Sequence, residues 1–398
     1  MSYKNYNINY LIDYDNEYPL RFAKNKNDLD ENLNNYCQPV RLYYDPQKDI
    51  FKKYNSKNIN NNFVKSLFTR FYNKNINELY VQINFYFDNI DLLKIGANQI
   101  HIVDLKENKI AHLLIPNSDS EWFINEIDTQ LNIQKEKFTI NTPLIQNCDK
   151  SVPYFITDYI KGNSLVKLTA TNHDEIVRKL FKFYSEQESI IIKNNKEEFD
   201  RIVLRLKENM ELISSNNTQV FNTKIKELID KIQINGISKS NRNLFFSEIV
   251  HGDLNYKENI IKTIDGKLFF IDWEMSRSAN ILYDYFYMLL YELSQQKNIE
   301  NSILFNYFSC SQMKLLSQEV NKQLDLQLDP NAILNYFCLA ILDMFLYKIL
   351  IIKKKRIQPM NKIELKKRFL SLEKYLDKIY VILDKAIKNN DNINEKKY

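Results

Sequence analysis

The sequence predicts an α+β protein of two lobes, a small antiparallel β-containing N-lobe followed by a large, mainly helical C-lobe. Three observations carry this expectation. From about 89 to 160 the apolar residues fall in β-rich runs broken by short polar stretches, whereas from about 173 to 235, and again after 280, they follow helical spacing. Between the helical stretches lies one legible hairpin, near 260–271. The chain has only 5 glycines in 398 residues, and Gly96, Gly162, Gly252 and Gly266 fall at turns and joints of this scheme. A chain so poor in glycine keeps one where the backbone needs it.

Residues 1–88 are rich in Asn, Tyr, Lys and Asp, with Val64, Leu67, Phe68 and Phe71 at helical spacing, and read as an N-terminal extension or small domain of unknown role. Residues 89–160 read as the N-lobe. Gln99-Ile100-His101-Ile102-Val103 and Ile110-Ala111-His112-Leu113-Leu114-Ile115 are β-rich runs joined by polar residues, the pattern of an antiparallel hairpin. Ser118-Asp119-Ser120-Glu121 is a capping box ahead of Phe123, Ile127 and Leu131, which starts a helix near residue 119. Val152 to Tyr159 is a strand running toward Gly162. Residues 161–398 read as the helical C-lobe. In it Ile333 to Ile352 is the most membrane-like stretch, but Asn335, Asp343 and Lys348 interrupt it and Asp329-Pro330 supplies a helix start, so a buried amphipathic helix is expected and no transmembrane segment. The basic Lys353-Lys354-Lys355-Arg356 reads as a solvated helix end in preference to a peripheral membrane contact.

The formal charge is +5, from 55 basic and 50 acidic residues, a mild and dispersed excess that gives no nucleic-acid footprint. Cys37, Cys148, Cys310 and Cys338 lie far apart, without the spacing of a zinc site or a disulfide framework. The N-terminus has no apolar run of signal-peptide length. A reducing, cytoplasmic location is expected.

The chemistry-bearing residues lie around the hairpin. Phe245 to Val250 leads into His251-Gly252-Asp253-Leu254-Asn255-Tyr256-Lys257-Glu258-Asn259; the strand from Ile260 turns at Asp265-Gly266, and its return strand ends at Ile271-Asp272-Trp273-Glu274. The hairpin therefore carries Asp253 and Asn259 at one end and brings Asp272 back to it. Phosphoryl transfer needs such a set. One carboxylate orients the acceptor hydroxyl and takes its proton, and an oxygen-rich pair holds Mg²⁺ against nucleotide phosphates. Asp253 fits the first role, Asn259 with Asp272 the second.

His251-Gly252-Asp253-Leu254-Asn255, Ile271-Asp272-Trp273-Glu274 and Leu282-Tyr283-Asp284-Tyr285 resemble the signatures of the aminoglycoside phosphotransferase and choline kinase superfamily, relatives of the protein kinases. The resemblance reaches back to about Gly96. It implies a protein-kinase-like fold and a Mg²⁺-dependent transfer of a nucleotide γ-phosphoryl, from ATP or GTP, to a sugar, amino alcohol or aminoglycoside-like acceptor, with Asp253 as base and Asp272 on the metal. It also implies nucleotide contacts from Gly96 and Asn98 in a short phosphate loop, from Glu126 on the helix after the hairpin, and from Thr157 and Tyr159 in an interlobe linker over Phe155 to Tyr159. The chain departs from the family twice. Its metal-site Asn259 stands six residues after Asp253, where five is usual, and is preferred to Asn255. The strand position of the family's phosphate-contacting Lys holds Leu114 or Ile115, which leaves Lys94 or Lys109 to replace it and keeps open a catalytically weak or silent module with a binding or scaffold role. His251 is expected to buttress the loop through hydrogen bonds. Trp273, Tyr283, Tyr285, Phe286 and Tyr287 are expected to be core, the alternative being a box for a choline-like cation.

Overall fold

The structure, a computed structural model, describes residues 7–11, 21–23, 42–45, 50–53, 81–84, 92–95, 99–104, 107–114, 120–150, 154–188, 190–212, 218–235, 242–308, 310–354 and 362–395. It divides into two compact units, one of residues 1–131, 143–161 and 355–359, the other of residues 132–142, 162–354 and 360–398.

The first unit is built on antiparallel sheets. Strands β1 (Asn7–Leu11), β2 (Arg21–Ala23) and β5 (Val81–Asn84) form a sheet of order β2-β1-β5, while β3 (Leu42–Asp45), β4 (Ile50–Lys53), β6 (Leu92–Ile95), β7 (Gln99–Asp104), β8 (Lys109–Leu114), β9 (Ile145–Asp149) and β10 (Tyr154–Asp158) form one of order β3-β4-β6-β7-β8-β10-β9. The expected division at residue 88 is therefore not a sheet boundary, because β3 and β4 extend the sheet that the later strands begin. The helical spacing at 64–71 lies outside the described residues.

The expected hairpin is present as β7 and β8, with Gln99 opposite Leu114 and Asp104 opposite Lys109. Helix α1 (Glu121–Glu136) starts two residues after its expected position, with Ile124 N bonded to Ser120 O. It presses Phe123 and Ile127 onto Leu114 and Phe155 to form this unit's small core. The strand expected over Val152 to Tyr159 is present as β10, hydrogen-bonded on both sides, to β8 and β9. Its run Tyr154-Phe155-Ile156-Thr157 is buried, which suits a strand paired on both edges.

The second unit contains β11 (Gly162–Ser164), α2 (Ala170–Ser185), β12 (Ile190–Asn194), α3 (Asn195–Leu212), α4 (Gln219–Ile234), β13 (Asn243–Val250), β14 (Ile260–Thr263), β15 (Leu268–Phe270), β16 (Arg277–Asn280), α5 (Tyr283–Gln295), α6 (Ile303–Tyr307), α7 (Cys310–Leu324), α8 (Ile333–Lys354) and α9 (Lys362–Glu395). The helical stretch expected over 173–235 is three helices and one strand. Ile190-Ile191-Ile192 is β-branched, prefers extended backbone, and pairs as β12 with β13. Two small sheets result, β11-β14-β15 and β12-β13-β16, where the sequence suggested a single hairpin. Gly162 is required by the first of these: a Cβ there would come within 2.6 Å of Lys262 O on the paired strand.

Amphipathic helices enclose these sheets. On α2, Thr169 caps the N-terminus through Asn172 N (3.2 Å), and Ile176, Leu180, Phe181, Phe183 and Tyr184 are buried. Asp329 caps a 3₁₀ turn, Pro330–Ala332, that runs directly into α8. This helix is long and apolar enough to cross a membrane, yet 78% of the stretch is buried inside the fold. It is a core helix, carrying Phe337, Ile341, Phe345 and Ile349, each of which adds about 1.5–3 kcal/mol by leaving water.

Candidate functional site

β13 delivers the loop His251–Asn259, and a buried carboxylate fixes the loop's first turn. Asp284, in the first turn of α5, accepts His251 N (2.7 Å) and Tyr184 Oη (2.7 Å) on Oδ2, and Gly252 N (2.9 Å) on Oδ1. An acid at a helix N-terminus is favoured by the helix dipole, and three donors satisfy its burial. Burial, then the charge of Asp284, pushes the Tyr184 phenol well above its ordinary pKa, which keeps it a donor. Gly252 has φ +87°, and a Cβ there would lie 2.0 Å from Met275 O and 2.5 Å from Arg277 Nη1, so only glycine fits. Beneath it Arg277 bonds Met275 O (3.0 Å) and Asp343 Oδ2 (2.7 Å), with its guanidinium between the rings of Tyr347 (3.5 Å) and Tyr283 (4.4 Å).

Hydrogen bonds then draw the three expected site residues of this unit together. Asn259 Nδ2 donates to Asp253 O (2.6 Å), Ile271 N donates to Asn259 O (3.0 Å), and His251 Nε2 donates to Ile271 O (2.8 Å). Asp253, Asn259 and the Ile271–Asp272 strand end thus share one hydrogen-bonded knot. Asn259 is buried, while Asp253 and Asp272 are partly exposed. The Asn259 amide nitrogen is committed to the loop, and its oxygen takes no hydrogen bond from any described residue. In contrast, the amide of Asn255 is used at both ends inside its own turn, donating to Glu258 Oε2 (2.8 Å) and accepting Lys257 N (3.0 Å). Asp272 has left-handed backbone, φ 64° and ψ 62°, at the start of the turn Trp273–Met275.

His251 buttresses the loop, as expected. As a donor to a carbonyl it carries its proton on Nε2; its Nδ1 is buried without a partner among the described residues, and burial lowers its pKa from the ordinary imidazole value. Tyr287, on α5, donates its hydroxyl to Asp253 Oδ1. Burial, then the charge of Asp253, raises the Tyr287 phenol well above its ordinary pKa. Trp273, Tyr283, Tyr285, Phe286 and Tyr287 are all buried; they are core, with Arg277 already on the face of Tyr283.

In the first unit, Glu126 is buried and accepts Gln99 Nε2 (3.2 Å) and Gln130 Nε2 (3.1 Å). Leu114, at one of the two positions expected to lack a lysine, packs in the small core, and Gln99 is its partner across the hairpin. A neutral amide thus stands against Glu126 on the neighbouring strand. Lys109 sits at the far end of β8, roughly 16 Å from Leu114 at the rise of a strand. The side chain of Lys94 and all of Gly96 and Asn98 lie outside the described residues. Thr157 is buried, and its hydroxyl meets His112 Nε2 (3.3 Å). Tyr159 donates its backbone N–H to Asn108 O (2.7 Å).

Sequence reading missed the contacts of Asp284, Arg277, Tyr287 and Gln99. Asp284 stood inside a recognised motif without a role; the other three act through contacts made across 25 or more residues, with no local pattern to mark them. Among the described residues no group of three His, Cys, Asp or Glu side chains is placed to hold a metal; Asn259 and Asp272 are a different donor set.

No family model and no curated protein matches the chain. Its structure is similar to several solved ones. A choline/ethanolamine kinase family protein from Mesorhizobium loti is 12% identical, with 75% of this chain and 92% of that one covered and a TM-score of 0.45. The choline kinase from Cryptosporidium parvum is 12% identical, with 77% and 91% covered and a TM-score of 0.47. A thermostable mutant of aminoglycoside phosphotransferase APH(4)-Ia, in ternary complex with ADP and hygromycin B, is 10% identical, with 81% and 97% covered and a TM-score of 0.47.

Proposed function

We propose that the chain is a cytoplasmic, Mg²⁺-dependent phosphotransferase that moves the γ-phosphoryl of ATP or GTP to a hydroxyl of a small molecule or glycan. The observation that carries this reading is the hydrogen-bonded knot of Asp253, Asn259 and the Asp272 strand end, whose backbone Asp284 holds from behind. Tyr287 occupies Oδ1 of Asp253, and no described residue bonds Oδ2. The acceptor hydroxyl is oriented there, its oxygen attacks the γ-phosphorus, the bond to the β–γ bridging oxygen breaks, and the hydroxyl proton passes to Asp253. Positioning dominates such chemistry, and a loop tied to the core at both ends supplies it.

The donor chemistry fits Mg²⁺: a carboxylate from Asp272 and an amide oxygen from Asn259, whose nitrogen is already engaged in the loop. When bound, the ion neutralises charge on the nucleotide phosphates. A second reading, a silent binding module, is favoured by one observation, Leu114 or Ile115 at the strand position of the family's phosphate-contacting Lys.

One experiment separates them. Thermal shift with ATP or GTP, with and without Mg²⁺, should give a Mg²⁺-dependent rise in wild type that Asp272→Ala loses. Asp253→Asn should keep the rise and lose transfer by about 10²–10⁴-fold. Turnover surviving in Asp253→Asn removes Asp253 as base, and no rise at millimolar nucleotide favours the silent module.

A further inference from the structure

Helix α8 brings an unused cation to the edge of the Asp253 site. Its Asp343 and Tyr347 serve Arg277, but the next residue, Lys348, serves nothing comparable. The Lys348 ammonium lies 5.6 Å from the centroid of the Tyr287 ring, the ring whose hydroxyl bonds Asp253. It makes no hydrogen bond and no ion pair with any described residue. Burial pushes its pKa down, and the charge of Asp253 pushes it back up. The residue is partly exposed. An ammonium has three donors and no acceptor, and holding it partly buried without a partner is costly. Of the carboxylates nearby, Asp343 is spent on Arg277 and Asp284 on the loop backbone, while Asp253, whose charge reaches Lys348, gives Oδ1 to Tyr287.

Of the acceptor classes that the sequence leaves open, amino alcohols and aminoglycosides would bring a second positive charge beside Lys348. The aromatic residues weighed above as a box for such a cation are buried, the face of Tyr283 is taken by Arg277, and Lys348 itself stands over Tyr287. We propose that Lys348 is a specificity determinant, and that the acceptor is an alcohol bearing an oxyanion, a carboxylate or a phosphate, which Lys348 binds while Asp253 receives the hydroxyl proton. This rests on the phosphotransferase reading above for the transfer step, and on the Lys348 geometry alone for the anion.

The test uses the full chain and four probes at matched concentration: glycerate, glycerol phosphate, glycerol and ethanolamine. ADP release with Mg·ATP is expected to favour the two anionic probes over glycerol by about tenfold or more in kcat/KM, with ethanolamine the poorest. Comparing glycerate with glycerol phosphate tells the two oxyanions apart. In Lys348→Met the anionic-to-neutral ratio falls by about tenfold, whereas Lys348→Arg retains it. A ratio near one in wild type, or one unchanged in Lys348→Met, overturns the proposal. Thermal shift keeps the two readings separate. An anion-dependent rise lost in Lys348→Met without any Mg·nucleotide rise would sink the phosphotransferase and leave the anion site standing. A Mg·nucleotide rise without an anion-dependent one would do the reverse.

Discussion

Each unit buries a carboxylate on a helix, and the two are satisfied in different ways. Asp284 in the helical unit receives two backbone N–H groups and a phenol, all from segments whose course the core dictates. Glu126 in the sheet unit receives two side-chain amides, Gln99 and Gln130. A carboxylate bonded to backbone fixes where a loop runs, and here that loop carries Asp253. A carboxylate bonded to side chains fixes only those side chains. The difference teaches that the loop carrying Asp253, the residue proposed as base, is held by backbone in one unit. In the other, a neutral amide stands on the strand beside the position where the resemblance calls for a cation.

This comparison is sharpened first by deleting each anchor. Asp284→Ala leaves His251 N, Gly252 N and Tyr184 Oη without an acceptor and should cost about 3–5 kcal/mol. Gln99→Leu removes a single neutral donor from Glu126 and should cost about 1 kcal/mol. Urea denaturation of both variants measures the gap, and equal costs would erase the distinction. Gly252→Ala tests how rigidly the loop is seated. Its Cβ would overlap Met275 O on a left-handed backbone, so a loss of about 3 kcal/mol is expected; a variant with wild-type stability would show that the turn yields.

Both units also hold a histidine whose pKa is depressed, His112 by burial and then by His101, His251 by burial against the opposing charge of Asp284. The unfolded chain therefore takes up protons near pH 6.5 that the folded chain refuses. Stability rises with pH wherever the unfolded state binds more protons, so this contribution is intact above about pH 7 and is lost as pH falls below about 6.5. Denaturation from pH 8 to 5 should show the decline, and His112→Asn and His251→Asn should each make it shallower. A slope unchanged in both variants would count against the assignment.

What was legible in the sequence had a local cause. The loop and hairpin were readable because Gly252, Asp265-Gly266 and the strand runs around them mark their own turns within 22 residues, and β7, β8 and α1 were readable from alternation and a capping pattern. The strand Ile190–Asn194 was overlooked because its pairing partner, β13, lies about 50 residues away. The strand Tyr154–Asp158 was legible from its own apolar run, and it pairs with β9 just before it and with the more distant β8. Around the site, Asp253, Asn259 and Asp272 announce themselves by type and spacing. Lys348, Tyr287 and Asp284 become meaningful only once α5 and α8 are packed against the loop.

The left-handed backbone of Asp272 has an evolutionary reading. An L-residue there pays a small conformational penalty, less for Asp than for most, and glycine would not. Asp272→Gly should therefore fold up to about 1 kcal/mol more stably while losing the carboxylate proposed for the metal, measurable as a higher melting temperature without Mg·nucleotide binding. Robustness alone would favour glycine at this position, so under the proposed metal role the aspartate is a stability forgone for a ligand.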